Sequence, residues 1–263
     1  MNLFLIALAV VPVAILLRYI YNKDTYKEPA ALLRKAFIFG ALLAVPASLM
    51  EYILQYLNPI SFIDFDSLSQ AVIGGVFEGY VVAAFSEELC KFMLFMLLVW
   101  KSSHFDEYYD GIVYAVFISL GFACIENILY VLMPGNFGAS VATAFVRAAI
   151  SVPAHFLFAV AMGYYLSLAK FDPANRSRHL SYALLVPILL HGTFDAILMV
   201  SDNIESPIEE IAYIVGAVEF VIFIIFDVMM WRKGLRRIRK MQELSQREDF
   251  NPSNPFDGFK WSV

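Results

Sequence analysis

Charged residues are scarce in this sequence, and their scarcity excludes an ordinary soluble protein. Only 16% of the 263 residues are Asp, Glu, Lys or Arg, while 60% are apolar; soluble domains contain about 25% charged residues. So few polar side chains cannot cover the surface of a water-soluble protein of this size. The 24 Phe and 14 Tyr residues suit positions that face lipid or lie at the headgroup boundary. We therefore expect an integral membrane protein that contacts membrane lipid and has no nucleic-acid partner.

Cysteine is equally scarce, and the two cysteines give no sign of a covalent framework. Cys90 and Cys124 both lie inside apolar stretches. In such surroundings a free cysteine behaves as a small buried hydrophobic residue. Two isolated cysteines also lack the spacing of a disulfide-rich fold or of a cysteine metal site. We expect neither.

Lys and Arg are absent from every second connection between the long apolar stretches. Segments 58–70, 134–140 and 201–207 contain neither residue, whereas the other connections and the C-terminal segment are basic. By the positive-inside rule, the basic segments are cytoplasmic. Seven stretches approach the length of about 20 apolar residues that a spanning helix needs. They are residues 2–20, 36–57, 71–99, 111–133, 141–169, 180–200 and 208–231.

These patterns predict the fold class and the topology. We expect an all-α fold, a polytopic transmembrane helix bundle of about seven spans, with the N-terminus outside and the C-terminus cytoplasmic. Residues 1–231 would form the transmembrane catalytic domain, and residues 232–263 a basic cytoplasmic C-terminal tail. A disulfide-free chain with this charge distribution fits the bacterial cytoplasmic (inner) membrane.

Several ionisable side chains lie inside the predicted spans, where a charged group costs roughly 2.5–3.5 kcal/mol on insertion scales. Counted from the cytoplasmic ends of four different spans, four of these residues fall within roughly 6 Å of one another along the membrane normal. Side chains of this kind avoid lipid by facing the interior of the bundle, so we expect them to converge. The four residues are Glu88, Glu126, His155 and His191.

The spacing within the helices indicates which groups act together. Lys91 follows Glu87 by four residues and Glu88 by three, so it can pair with either carboxylate on one helix face. His191 and Asp195 are also four residues apart, so the carboxylate can orient the imidazole. A buried glutamate that takes a proton from water, with a histidine or amide that stabilises the oxyanion, forms a hydrolytic site.

Three other functions are compatible with buried acids and histidines. The groups could form structural ion pairs between helices, or the protein could bind lipid or another span without catalysis. The third alternative is a proton-coupled transporter that uses the cluster as a relay. The sequence shows no inverted repeat and no matching pair of broken helices, which many carriers have. A hydrolytic site explains the common depth best.

Four motifs in this order resemble the PrsW family of intramembrane proteases. They are Glu87-Glu88-x-x-Lys91, Phe122-x-x-x-Glu126-Asn127, the mid-helix His155 and His191-x-x-x-Asp195, and residues 110–132 look like the family's fourth span. The resemblance implies a membrane endopeptidase with catalytic residues Glu87, Glu88, Glu126, His155 and His191. Lys91, Asn127 and Asp195 would support them, and either Glu87 or Glu88 would be the general base. It also implies a single-span membrane-protein substrate, an anti-sigma factor in the founding member.

The related CAAX prenyl endopeptidases differ at two points. They have a longer Glu-Glu-x-x-x-Arg spacing and a histidine at the position of Glu126, so we do not transfer their prenyl-cysteine specificity. The H-E-x-x-H motif that would strongly indicate zinc is absent, and the resemblance to the prenyl endopeptidases implies that glutamate and histidine act without a bound metal. We expect catalysis without a metal; if zinc is bound, Glu126, His155 and His191 are the predicted ligands.

Overall fold

A computed structural model describes residues 2–63, 67–203 and 209–246, and the described chain is helical throughout, with no β-strand in those ranges. This architecture confirms the all-α fold class. The ten α-helices are α1 (Asn2–Lys23), α2 (Ala30–Leu42), α3 (Ala44–Tyr56), α4 (Ser67–Phe77), α5 (Phe85–Leu98), α6 (Asp110–Leu132), α7 (Phe137–Ala149), α8 (Ser151–Phe171), α9 (Arg176–Asn203) and α10 (Glu209–Ser245). Two short 3₁₀ turns, Pro59–Phe62 and Pro173–Asn175, precede α4 and α9.

Five helical segments in the described residues are long and apolar enough to cross a membrane. They are Leu3–Lys23, Ala30–Tyr56, Asp110–Leu132, Phe137–Phe171 and Pro173–Val200. The predicted spans 71–99 and 208–231 are not among the five. The first of these contains three glutamates and a lysine and is not one regular helix, while the second begins next to residues 204–208, which lie outside the description. The multi-pass architecture is confirmed, and the count of seven remains a prediction.

The centre of the bundle is formed by α6 and α8, which are buried along most of their length. Close packing of α2 on α6 depends on two glycines, because a Cβ atom on Gly40 would overlap the backbone oxygen of Ile118 and one on Gly121 would overlap that of Phe37. Small residues allow helix backbones to approach in this way. The outer faces of α3 and α10 expose large apolar side chains, such as Tyr52 and Phe220, as lipid-facing helices do.

Three of the helical segments are interrupted. Leu43 separates α2 from α3, and Ile150, with a non-helical φ of -120° and ψ of -66°, separates α7 from α8. Between α4 and α5 the chain forms a π-helix over Glu78–Ala84. The π-helix ends just before the first turn of α5, which carries Glu87 and Glu88, and the break at Ile150 lies five residues before His155 in α8. Both interruptions therefore lie next to the predicted site.

The basic run of the predicted C-terminal tail continues α10 without a break as far as Ser245. Residues 247–263 of that tail lie outside the described residues.

Candidate active site

Lys91 is the centre of the cluster that α5 contributes. Its ammonium nitrogen Nζ donates to Oε2 of Glu87 at 2.9 Å and to Oε1 of Glu88 at 2.8 Å. It also lies 3.3 Å from Nδ1 of His155 on α8 and 4.5 Å from the ring centroid of Phe122 on α6. All three polar partners are buried, so two carboxylates share the positive charge of one ammonium group in the interior of the bundle.

His155 connects this cluster to α6. Its Nε2 lies 2.9 Å from Oε2 of Glu126, and its Nδ1 faces Lys91. Because an ammonium group can only donate, Nδ1 of His155 accepts from Lys91, and the ring proton lies on Nε2 and is donated to Glu126. The backbone oxygen of His155 accepts a hydrogen bond from Ser119 Oγ at 3.0 Å, which fixes α8 against α6 at this level.

His191 on α9 lies between two carboxylates. Its Nδ1 is 3.0 Å from Oε1 of Glu88, and its Nε2 is 3.1 Å from Oδ2 of Asp195. Each ring nitrogen of His191 therefore faces a carboxylate oxygen to which an N–H group can donate. The ring stacks on Phe158 with centroids 4.7 Å apart, and its centroid is 5.4 Å from that of His155.

Glu126 has a second partner that the sequence analysis did not assign to the site. The guanidinium nitrogen Nη2 of Arg147, on α7, lies 3.2 Å from Oε1 of Glu126. Arg147 Nε donates to Oδ1 of Asn127 at 2.8 Å, and Nδ2 of Asn127 donates to the backbone oxygen of Ala9 in α1 at 2.7 Å. Asn127 therefore positions Arg147 and anchors α6 to α1. The signal for Arg147 was its location in an apolar stretch, where an unpaired cation is costly.

These side chains surround a cavity of about 500 Å³. The cavity is lined by Glu87, Glu126, Arg147, His155, His191 and Asp195, together with residues of α3 such as Glu51. Three of the predicted residues, Glu88, Lys91 and Asn127, do not line it. The sequence analysis did not assign Glu51 to the site. Its only sequence signal was an acidic residue within an apolar stretch.

The donor set of the site fits a metal ion in its chemistry. One ligand atom each from Glu87, Glu126 and His155 lie within 4.8 Å of one another, and the same is true of Glu87, Glu88 and His191. Zinc in catalytic sites takes three nitrogen or oxygen ligands of this kind. The predicted set of Glu126, His155 and His191 is grouped differently here, because both nitrogens of His191 face Glu88 and Asp195. In this structure Glu87, and not His191, lies beside Glu126 and His155.

A multi-helix membrane fold around a cavity of about 500 Å³ that buried glutamates and histidines line fits a membrane-embedded hydrolase. The sequence profile of the PrsW family intramembrane metalloprotease matches residues 28–229. The chain belongs to this family, and it is an integral, multi-pass membrane protease.

Curated relatives support the same conclusion over nearly the whole chain. Protease PrsW of Clostridioides difficile (strain 630) is 35% identical over 253 residues, which cover 95% of this chain and 96% of the relative. Protease PrsW of Bacillus subtilis (strain 168) is 35% identical over 245 residues, 92% of this chain and 97% of the relative. No solved structure matches the chain.

Proposed function

We propose that the site hydrolyses a peptide bond of a membrane-protein substrate and that Glu87 is the general base. The observation that supports this choice is that Glu87 lines the cavity, whereas Glu88 is completely buried behind it. Glu88 accepts from Lys91 and faces His191, so it holds both groups in place and does not meet a water molecule in the cavity. Family membership favours this reaction over a proton-coupled transporter built on the same residues.

In the proposed reaction, Glu87 takes a proton from water as the water oxygen attacks the carbonyl carbon of the substrate. The negative charge that develops on the carbonyl oxygen is stabilised by the N–H donors of Arg147 and His191, which line the cavity. The proton then passes from Glu87 to the amide nitrogen as the carbon–nitrogen bond breaks. Glu126 and Asp195 hold Arg147 and His191 in their orientations.

The same residues suggest how a metal would be held if the enzyme uses one. Glu87, Glu126 and His155 would supply the ligands, and a bound zinc ion would polarise the carbonyl group and acidify a coordinated water molecule. Lys91, which pairs with both Glu87 and Glu88, would then compete with the ion for Glu87.

We further propose a single-span membrane protein as the substrate, comparable to the anti-sigma factor implied by the family resemblance. The proposed setting is a bacterial cytoplasmic membrane crossed by seven spans, with the N-terminus outside. The alternation of basic and non-basic connections supports this topology.

The test uses full-length protein purified in detergent, incubated with a panel of single-span membrane proteins, with products identified by mass spectrometry. We expect Glu87→Gln to reduce cleavage by roughly 10²–10⁴-fold, the range that general acid–base catalysis contributes. Asp227→Asn is the matched control, because it makes the same acid-to-amide change on α10, away from the cavity. Size-exclusion profiles and melting temperatures check that each variant is folded.

Each outcome has a distinct meaning. Full activity in Glu87→Gln together with an inactive Glu88→Gln variant would transfer the role of base to Glu88. Full activity in both would overturn the proposed function. Cleavage that is lost after chelation and restored by zinc would assign Glu87, Glu126 and His155 as ligands.

A further inference from the structure

A second group of buried carboxylates lies far from the cavity, where the connection between α1 and α2 meets the connection between α5 and α6. Asp110, in the first turn of α6, belongs to it and is 16 residues from Glu126, about 24 Å along the same helix. Glu28 and Asp106 contribute from the two connections. This group has no contact with the proposed catalytic residues, so the inference below does not depend on the proposed function.

The geometry of the group is compact. One carboxylate oxygen from each of Glu28, Asp106 and Asp110 lies within 4.8 Å of the other two. The backbone N–H groups of Asp106 and Glu107 donate to Oδ2 of Asp110 at 3.1 and 2.7 Å, and the hydroxyl of Tyr114 donates to Oε2 of Glu28. These contacts aim the carboxylates at one point between the two connections.

One oxygen in this group has no donor although it is completely buried. Asp110 is 0% exposed, and its Oδ1 accepts no hydrogen bond from an N–H or O–H donor among the described residues, although its carboxyl group contacts that of Glu28. The Oδ2 atom of the neighbouring Asp24, which is 4% exposed, accepts none either. A buried carboxylate oxygen without a donor carries a large desolvation cost. An ion that binds between the carboxylates would remove this cost.

The surrounding charge is not balanced by the nearest lysine. Lys27 donates to the backbone oxygens of Tyr21 and Asp24 and makes no hydrogen bond to the three clustered carboxylates. Glu107, next in sequence to Asp106, and Asp24 are further buried acids. The two connections therefore gather acidic side chains in a buried position.

We propose that Glu28, Asp106 and Asp110 bind a hard divalent cation, Mg²⁺ or Ca²⁺. All the available ligand atoms are carboxylate oxygens, which these two ions prefer, and there is no histidine or cysteine ligand in the group to select zinc. Asp106 is the most accessible of the three and leaves room for the water ligands that complete the coordination.

The bound ion would join three parts of the bundle. Glu28 belongs to the connection before α2, and Asp110 begins α6. The backbone N–H of Tyr109 donates to Oγ of Ser245 at the end of α10 at 3.0 Å, so the C-terminal helix docks on the same loop. The ion would thus stabilise the packing of α1, α2 and α10 on α6, the helix that carries Glu126.

Terbium luminescence tests the proposal on full-length, metal-depleted protein in detergent. Tb³⁺ replaces Ca²⁺ at oxygen sites and is sensitised by a nearby tyrosine, here Tyr114, which donates to Glu28. We expect the luminescence to saturate as Tb³⁺ is added and to fall when Ca²⁺ or Mg²⁺ displaces Tb³⁺. In Asp106→Asn and in Glu28→Gln, Tb³⁺ should bind roughly tenfold or more weakly. Glu87→Gln, which alters only the catalytic cavity, should leave this signal unchanged.

A second measurement uses only the wild-type protein, so its result does not depend on whether a variant folds. Adding Mg²⁺ or Ca²⁺ to the wild-type protein should raise its melting temperature, and NaCl of the same ionic strength should not. Luminescence that does not saturate, or that is lost in Glu87→Gln but kept in Asp106→Asn, overturns the proposal. A melting temperature independent of divalent ions also overturns it, because the carboxyl groups would then share protons.

Discussion

Lys91 and Arg147 are the two cations that the bundle brings to its buried acids, and they differ in their surroundings. Lys91 is 1% exposed and holds two carboxylates of its own helix. Arg147 lines the cavity and joins Glu126 to Asn127, with its guanidinium 4.3 Å from the ring centroid of Tyr130. Only a planar guanidinium can make these three contacts at once. The positions are therefore not interchangeable.

We expect Arg147→Lys to lower the cleavage rate by roughly 10–100-fold although it keeps the positive charge. A lysine cannot contact Glu126 and Asn127 together. Glu126 would then lose its fixed orientation, and so would the His155 ring that donates a hydrogen bond to it. Steady-state kinetics on a cleaved substrate measure the effect, with the melting temperature as a control for folding. Wild-type rates in Arg147→Lys would show that charge alone is needed at this position.

Pairs within one helix could be predicted from the sequence, and pairs between helices could not. The spacing of Glu87, Glu88 and Lys91 places them on one face of any regular helix, and His191 and Asp195 likewise. The contact between Arg147 and Glu126 depends on how α7 packs against α6.

Among the helices, the π-helix over Glu78–Ala84 has the largest effect on the site. A π-helix usually marks a functional position, because its wider turns alter the direction of the residues that follow. The π-helix takes more residues per turn than an α-helix does. If residues 78–84 were wound as an α-helix instead, Glu87 and Glu88 would be turned by about 100° relative to α4, the angle that one α-helical residue adds. The position of the acid pair therefore depends on the π-helical winding before it.

The contact between this π-helix and α9 can be tested by adding one methyl group. A Cβ atom on Gly79 would lie 2.7 Å from the backbone nitrogen of Ala196, so the two helices would have to move apart. We expect Gly79→Ala to lower stability by roughly 1–3 kcal/mol and to reduce cleavage, because His191 is on α9. Thermal unfolding in detergent and cleavage rates provide the two measurements.

Gly74 is the matched control for this experiment, because no atom lies within 4 Å of a Cβ built on it. Gly74→Ala should be neutral or up to about 1 kcal/mol stabilising, since alanine favours a helix more than glycine does. Equal melting temperatures for the two variants would contradict the tight contact at Gly79.

Hydropathy could predict the helices but not their interruptions. Residues 71–99 and 141–169 were each read as one continuous span. The structure divides the first by a π-helix and bends the second at Ile150. Neither break follows from the apolar pattern. The break at Ile150 agrees with Pro153, which in a continuous helix would leave the carbonyl of Ala149 without its N–H donor and would clash with it. The π-helix contains no proline. Both breaks lie within a few residues of a predicted site residue.

At the scale of the whole molecule, the distribution of Lys and Arg predicted a multi-pass membrane protein, and the fold and the family confirm that part. The acid group at Glu28, Asp106 and Asp110 could not be predicted, because its members come from two connections that only the folded chain brings together. Short polar connections are ordinarily read as solvent-exposed. Here the loop residues Tyr108 and Tyr109 are completely or almost completely buried.

The predicted orientation can be tested by cysteine labelling in intact cells. After Cys90 and Cys124 are replaced by serine, a single cysteine is introduced at Ser103 or at Gly138, both of which are exposed. We expect a membrane-impermeant maleimide to label the Gly138→Cys protein in intact cells and the Ser103→Cys protein only after permeabilisation. The reverse pattern would invert the topology, and labelling of both in intact cells would contradict a span between them.

The size of the catalytic cavity limits the form in which a substrate can be cut. One turn of an α-helix, roughly 10–12 Å wide and 5.4 Å long, fills roughly 400–600 Å³, and the cavity holds about 500 Å³. A membrane-spanning helix of about 20 residues cannot enter it whole. In the proposed reaction the substrate would present about one turn of chain to the cavity at a time. The free energy of separating that turn from the rest of its helix would then help to select substrates, in addition to the side chains beside the bond.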